Sequence, residues 1–297
     1  QCLLDGIEAL TRGGLERAEQ PDPTIRWTEV GDVAPVTLEI GYALIPLVDG
    51  QGALMGRITG IRRTLSQELG FVIPPVRVRD DLSIAPNGYR IALAGELVGA
   101  GEAFAGDLLA LEAEAISAEV PGQPVLDPAF GLKARWIDPA REAEASAAGY
   151  TVVDAATVIS THLFNIVKRH AHLLFGQDEA HALIDQLASR HPHLAASVGP
   201  KQVPLQLTAA VCQLLLEEGV PLRAFERVAA ALAQAVGQTQ EPRALTELVR
   251  ARIGGLIVSA LGNPALPLQL IALAPQLEGL LVQAQRVEPQ SEHPFEP

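Results

Sequence analysis

Histidine is the residue type in this chain best suited to bind a metal or transfer protons, and six of the seven histidines fall within residues 162–193. His170 and His172 are two positions apart, a spacing that directs them to roughly opposite sides of a helix. His191 and His193 lie on either side of a proline at an expected helix end. No cysteine or acidic set completes a zinc-type ligand pattern around them. We therefore expect histidines on helix surfaces and helix ends, and we predict neither a metal site nor a cofactor.

Other arrangements that could support catalysis are incomplete. Gly95, Gly99 and Gly101 are not followed by the Gly-Lys-Ser/Thr of a phosphate-binding loop. Asp80 and Asp81 are adjacent, so at a strand end they point to opposite faces and are expected to be solvated turn acids. No Gly-x-Ser-x-Gly elbow is present for a nucleophilic serine. We predict that the chain is not an enzyme; the alternative is an α/β enzyme with an unrecognised active site, marked by a cleft of titratable groups with perturbed pKa values.

Asp127, Phe130 and Thr161 form a candidate of a different kind, a binding surface. Phe130 follows a turn that contains a proline, where a large aromatic either fills a seam between subdomains or faces solvent. An exposed aromatic beside an acid and a hydroxyl is a common docking arrangement. The residues alone leave both roles of Phe130 open, core filler and docking anchor.

Composition limits the class of partner. A chain of 297 residues with 48% hydrophobic residues can form about two to four subdomains with cores of their own. The net charge of −13 argues against nucleic acid, whose phosphates need a basic surface, and against docking on an anionic membrane. Cys2 and Cys212 are too few and too far apart for a disulfide scaffold, which favours a reducing compartment.

Hydrophobic periodicity predicts an α/β first half and an all-α second half. Leu54, Ile58, Ile61, Leu65 and Leu69 form one stripe of an amphipathic helix. Strands are expected within 36–48 and at 76–78, 89–98, 108–111 and 150–153, followed by a long helix capped by Asp154. Later helices are expected near 178–190, 205–218, 222–235 and 241–261, then a strand at 266–273 and a helix at 276–287. No stretch reaches the ~18 apolar residues of a membrane helix, and the first residue, Gln1, suggests a piece of a longer protein.

Several ordered segments resemble one protein family. Glu39-Ile40-Gly41-Tyr42 and Ile45-Pro46-Leu47-Val48 come first, then Pro74-Pro75-Val76-Arg77-Val78. Leu126-Asp127-Pro128-Ala129-Phe130-Gly131-Leu132, Trp136-Ile137 and Ser160-Thr161-His162-Leu163 follow. In this order and spacing, over roughly residues 30 to 260, the chain resembles the cytoplasmic domain of the type III secretion and flagellar export gate, the FHIPEP family.

The resemblance implies a subdomain organisation. The expected boundaries are 1–32 for a linker, 33–105 with 155–175 for a thioredoxin-like subdomain 1, 106–154 for an inserted small ferredoxin-like α/β subdomain 2, 176–254 for a helical subdomain 3, and 255–297 for a partial C-terminal α/β subdomain 4. It also implies the cytoplasmic domain of a bacterial inner-membrane protein, in a flagellar or a virulence system. In the full-length protein, such domains are expected to form a homo-oligomeric, nonameric ring.

The resemblance further implies a binding role. Asp127, Phe130 and Thr161 match residues that line a hydrophobic dimple in flagellar members of the family, where chaperone–substrate complexes dock. The expected partners are therefore secretion chaperone–substrate complexes and the export ATPase stalk protein. A plain structural or adaptor protein, which would lack an exposed apolar dimple at Phe130, is the further alternative.

Overall fold

Two four-stranded sheets and a series of helices make up the described part of the chain. The computed structural model describes residues 33–49, 52–113, 116–261 and 272–287. Within these ranges, no helix combines the length and apolar character needed to cross a membrane.

The described residues form eight strands, nine α-helices and three short 3₁₀ helices. The strands are β1 (Val36–Ile40), β2 (Val76–Asp80), β3 (Gly88–Leu93), β4 (Glu96–Glu102), β5 (Leu108–Leu111), β6 (Gln123–Leu126), β7 (Lys133–Ile137) and β8 (Thr151–Asp154). The α-helices are α1 (Ala53–Leu69), α2 (Glu142–Ala147), α3 (Ala155–Arg169), α4 (Gln177–Arg190), α5 (Pro192–Ser197), α6 (Leu205–Glu217), α7 (Phe225–Ala235), α8 (Pro242–Leu261) and α9 (Pro275–Val287). Short 3₁₀ helices span Tyr42–Leu47, Pro139–Arg141 and Ala171–Leu174.

The first sheet has the strand order β2-β1-β3-β4. β1 and β2 pair in parallel, and α1 connects them, whereas β3 pairs antiparallel with both β1 and β4. α3 follows the second sheet in sequence but packs beside α1 and against β3. Four apolar residues of α1 are buried with the sheet residues Leu38 and Ile91 in one core. The chain therefore leaves this layer after β4 and returns to it at α3.

The second sheet, with the order β6-β7-β5-β8, is antiparallel throughout and contacts two different cores. Because side chains alternate along a strand, Leu109 and Trp136 face the main core while Ala110 and Ile137 face a small separate cluster. The small cluster also contains Ala145 of α2. β6 is an edge strand whose only sheet partner in the described chain is β7.

The helical half is joined to the first sheet layer by close contacts. The backbone N–H of Leu222 donates a hydrogen bond to the Leu69 carbonyl, with N and O 2.7 Å apart. Gly70 ends α1 with a φ of 88°, and a Cβ there would lie 2.4 Å from the backbone nitrogen of Arg223. Glycine is therefore required at position 70 both for its left-handed conformation and for the close approach.

The predicted helices at 54–69, 178–190, 205–218, 241–261 and 276–287 are confirmed, and the one at 222–235 begins later, at Phe225. The strands at 76–78, 108–111 and 150–153 are also confirmed. Of the one or two strands expected within 36–48, β1 is confirmed, and a second strand does not form because Tyr42–Leu47 is a 3₁₀ helix that contains Pro46. The single strand expected at 89–98 is a hairpin that turns at Ala94 and Gly95, both with positive φ. Most of the strand expected at 266–273 lies outside the described residues.

Candidate functional site

The loop between β6 and β7 presents Phe130 to solvent. Its backbone is closed by two hydrogen bonds of 2.8 Å, from the N–H of Asp127 to the Leu132 carbonyl and from the N–H of Gly131 to the Asp127 carbonyl. Gly131 has a φ of 68°, a conformation that favours glycine. The Phe130 side chain is 62% exposed. A phenylalanine this exposed on a hydrogen-bonded loop does not fill a core.

Asp127 lies beneath the loop rather than on its surface. The residue is only 4% exposed, and its Oδ2 accepts a hydrogen bond of 2.8 Å from the Phe130 backbone N–H. The side chain therefore shapes the turn that holds Phe130 outward. Sequence analysis expects this acid among the residues that line the dimple, and the structure places its carboxylate within its own loop.

Phe130 and Thr161 line the same groove. This groove, of about 600 Å³, lies between α1 and α3 and is bounded by the Phe130 ring. Its apolar walls are Phe130, Ile61 and Phe164. Thr161 is half-buried and supplies a hydroxyl at the margin. We call this space the Phe130 groove.

A second concavity also borders Phe130. It has about 580 Å³ and is lined by the loop residues and the last turns of α3, including Lys168 and Arg169. Asn165 borders both spaces, and its side-chain amide donates to the Ala129 carbonyl at 3.2 Å. This hydrogen bond attaches the loop to α3, and Phe130 lines both hollows.

Beneath Thr161, a buried polar pair supports α3. His162 Nδ1 and the Tyr89 hydroxyl are 2.9 Å apart, and both residues are almost fully buried. Burial raises the pKa of Tyr89, and the charge of Asp127 adds to this rise. Burial lowers the pKa of His162, while the charge of Asp127 acts in the opposite direction. Both groups are thus favoured as neutral hydrogen-bonding partners in the core.

Most of the residues that line the Phe130 groove are not predicted as site residues from the sequence. Gly60, Ile61 and Thr64 come from α1, and helix α3 adds Phe164 and Asn165. A signal exists in the spacing, since Thr161 shares a helix face with residues three and four positions later. The contribution of α1 has no such signal, because only the tertiary packing of α1 on α3 places it there.

Groups suited to metal binding do not cluster in the described part of the chain. No cluster of three or more metal-ligating side chains occurs there, and the rings of His170 and His172 lie 6.1 Å apart. Burial raises the pKa of the Cys212 thiol to about 12, which leaves no thiolate for nucleophilic chemistry near neutral pH. Cys212 and Tyr89 are buried away from the two hollows beside Phe130.

Sequence comparison finds relatives along nearly the whole chain. The model of the FHIPEP family matches residues 10–297. The flagellar biosynthesis protein FlhA of Escherichia coli is 39% identical over 260 residues, which are 87% of this chain and 38% of the relative. FlhA of Bacillus subtilis is 34% identical over 290 residues, 93% of this chain and 43% of the relative. The chain thus spans about two fifths of the length of these relatives.

Solved structures share the fold at low sequence identity. The CdsV protein of Chlamydia pneumoniae has a TM-score of 0.66 at 20% identity, covering 90% of this chain and 86% of that one. The cytosolic domain of EscV from the type III secretion system, solved as a nonamer, has a TM-score of 0.64 at 17% identity, covering 88% and 76%. The mixed α/β architecture with two small sheets is therefore one that this chain shares with CdsV and with the EscV domain.

Proposed function

Because the chain belongs to the FHIPEP family of export-gate proteins, we propose that it is a docking domain that receives chaperone–substrate complexes for protein export. The observation that favours this function is the exposure of Phe130, which is 62% accessible and lines two hollows from a hydrogen-bonded loop. A rigid exposed aromatic loses little conformational entropy on binding, which is why such residues dominate binding energy at interfaces. Thr161 borders the same groove, and Asp127 positions the loop.

The wider setting forms part of the same proposal. We infer that the four-subdomain organisation follows the boundaries expected from sequence, since the chain leaves the first sheet layer after β4 and α3 returns to it. Assembly as a nonameric ring in the full-length protein is supported by the nonameric EscV domain of the same fold. A structure of CdsV in complex with CdsO shows that a domain of this fold binds a second protein. The export ATPase stalk protein is the corresponding partner proposed for this chain.

The direct test is Phe130→Ala, assayed for binding of a purified cognate chaperone–cargo complex. Removing an aromatic anchor costs about 2 kcal/mol of binding free energy, so we expect the dissociation constant to rise about 30-fold. The melting temperature should stay within about 2 °C, because truncation of an exposed side chain changes the free energy of unfolding by only about 0.5 kcal/mol.

Leu97→Ala is the matched control, since Leu97 is a 58% exposed apolar residue on β4, away from the Phe130 groove. It should leave the affinity unchanged. Equal binding by wild type and Phe130→Ala would refute the docking role. Unfolding of the Phe130→Ala variant would refute it as well, because it would show that the ring supports the core.

A further inference from the structure

The two hollows beside Phe130 have an unusual charge composition for this chain. Their lining includes the cations Arg57, Lys168 and Arg169 and no aspartate or glutamate. The chain as a whole has a net charge of −13. Other grooves mix both signs: Arg63 and Arg223 share one with Asp178 and Glu179. The surface beside Phe130 is thus a locally cationic region of an acidic protein.

These cations differ in how far they are already neutralised. Arg169 is exposed, and its side chain makes no hydrogen bond or ion pair with the described part of the chain. Lys168 Nζ pairs with Glu68 at 2.8 Å, but both side chains are well exposed, and such a pair is weak. Lys168 Nζ also lies 5.5 Å from the centre of the Phe164 ring. Arg169 and Lys168 are therefore the cations most available to a partner.

Arg57 has a structural task as well. Its guanidinium donates to both carboxylate oxygens of Asp154, at 2.5 and 2.8 Å, and to the Thr157 hydroxyl. It connects α1 to the first turn of α3 at the margin of the Phe130 groove. A substitution at Arg57 would disturb the groove itself, so the test must use another cation.

We propose that this surface selects an acidic amphipathic helix of a protein partner, with one large apolar residue in the Phe130 groove and carboxylates over Arg169 and Lys168. The groove lies between two helices and has apolar walls, the geometry in which an amphipathic helix docks. Three cations on a −13 chain are too few for a nucleic acid, which requires a basic face. This rests on the proposed function only for the identity of the partner, since the charge preference belongs to the surface itself.

Overall repulsion does not prevent such a partner from binding. At physiological ionic strength the Debye length is about 8 Å, so the net charge of the chain is largely screened beyond the contact region. The preference for an acidic or a basic partner then depends on charged groups that are in direct contact at the interface. Each exposed ion pair changes a binding constant by about 1.5- to fivefold, and each like-charge contact acts in the opposite direction. Two such positions should give a clear preference for carboxylates over ammonium groups.

The test uses two synthetic helical peptides that share one phenylalanine anchor. One has glutamates three and four residues to either side of the anchor, on the same helix face, and the other has lysines there. We expect wild-type chain to bind the glutamate peptide at least about fivefold more tightly at about 0.15 M salt. Arg169→Glu should lower this preference about threefold or more, and Phe130→Ala should weaken binding of both peptides.

Arg190→Glu is the matched control. Arg190 is also exposed and also ends its helix, α4, where a cation offsets the helix dipole, but it does not line either hollow beside Phe130. It should leave the peptide preference unchanged. The inference is overturned if the peptides bind equally, if neither binds up to about 1 mM, or if Arg190→Glu and Arg169→Glu have the same effect.

The two proposals fail separately. Phe130-dependent binding of a chaperone–cargo complex, without a peptide preference, would leave the docking function and refute the charge selectivity. A peptide preference that depends on Phe130 and Arg169, without binding of any chaperone–cargo complex, would leave the selectivity and refute the proposed function.

Discussion

At the scale of single residues, the side chains of the predicted site have different tasks. Phe130 is exposed, Thr161 borders the Phe130 groove, and Asp127 is buried under the loop with its carboxylate bonded to the Phe130 backbone N–H. The sequence identifies these three residues as a candidate site, but it does not show that their side chains have different tasks. An aspartate before a proline can be a surface acid or a turn acceptor, and only the course of the loop decides which.

A pair of substitutions distinguishes these tasks for Asp127. Asp127→Ala leaves the Phe130 N–H without its acceptor, which should cost about 1–3 kcal/mol of unfolding free energy and weaken partner binding by loosening the loop. Asp127→Asn keeps an acceptor oxygen and should retain most of the binding. The measurement is affinity for the chaperone–cargo complex across a salt series. If Asn and Ala are equally harmful and the loss depends on salt, Asp127 acts as a surface charge instead.

At the scale of secondary structure, the groove depends on how α1 and α3 are held together. Asp154 caps α3 by accepting from the Thr157 backbone N–H at 2.8 Å, and it also binds Arg57 of α1. Burial by itself raises the pKa of Asp154, but the hydrogen bonds from Arg57 and Thr157 outweigh it, so the pKa is lowered. The Asp154 carboxylate thus caps the N-terminus of α3 and also binds α1 through Arg57.

Asp154→Ala should lower the free energy of unfolding by about 1–2 kcal/mol at pH 7, as expected for the loss of an N-cap. A lowered folded-state pKa means that this stabilisation is complete above the unfolded value of about 3.9 and is lost as the pH falls through the folded value. The difference in the free energy of unfolding between wild type and Asp154→Ala should therefore become smaller below about pH 4. Urea unfolding at several pH values measures it.

Asp138→Ala is the control for this prediction. Asp138 accepts a hydrogen bond from the Ala140 backbone N–H but caps only a short 3₁₀ turn. Its loss should cost less than the loss of Asp154. If the loss of unfolding free energy in Asp154→Ala stayed constant down to pH 3, this would contradict the assigned role of the carboxylate.

Helices with clear periodicity are predictable from this sequence, whereas several strands are not. The stripe from Leu54 to Leu69 specifies α1, because its apolar residues recur at helical spacing. β4 has glycines where strand formers are expected, and a side chain at these positions would crowd its neighbours. A Cβ at Gly101 would lie 2.6 Å from the Tyr89 hydroxyl oxygen, and one at Gly99 would lie 3.1 Å from Ile166. Such contacts between distant segments leave no local pattern in the sequence.

At the scale of the whole molecule, the proposed docking surface is made by segments that are far apart in sequence. α1, the β6–β7 loop and α3 meet only because the chain leaves the first sheet layer, forms the second sheet and returns. The resemblance to the FHIPEP family identified the motifs on two of these segments, and the third, α1, is added by the structure. The hollows beside Phe130 are lined by cations although the chain as a whole is acidic, so we expect partner binding there to depend on local charge rather than on the net charge.

Site-specific photocrosslinking tests the central claim, that a chaperone–cargo complex occupies the Phe130 groove, most directly. Thr59 and Thr64 are both exposed on α1 and both donate to the carbonyl four residues earlier, but only Thr64 lines the groove. With benzoylphenylalanine placed at either position, we predict crosslinks to the complex from position 64, few from position 59, and loss of the former in a Phe130→Ala background. Equal crosslinking from both positions, or crosslinking from position 64 that persists without the Phe130 ring, would contradict the account.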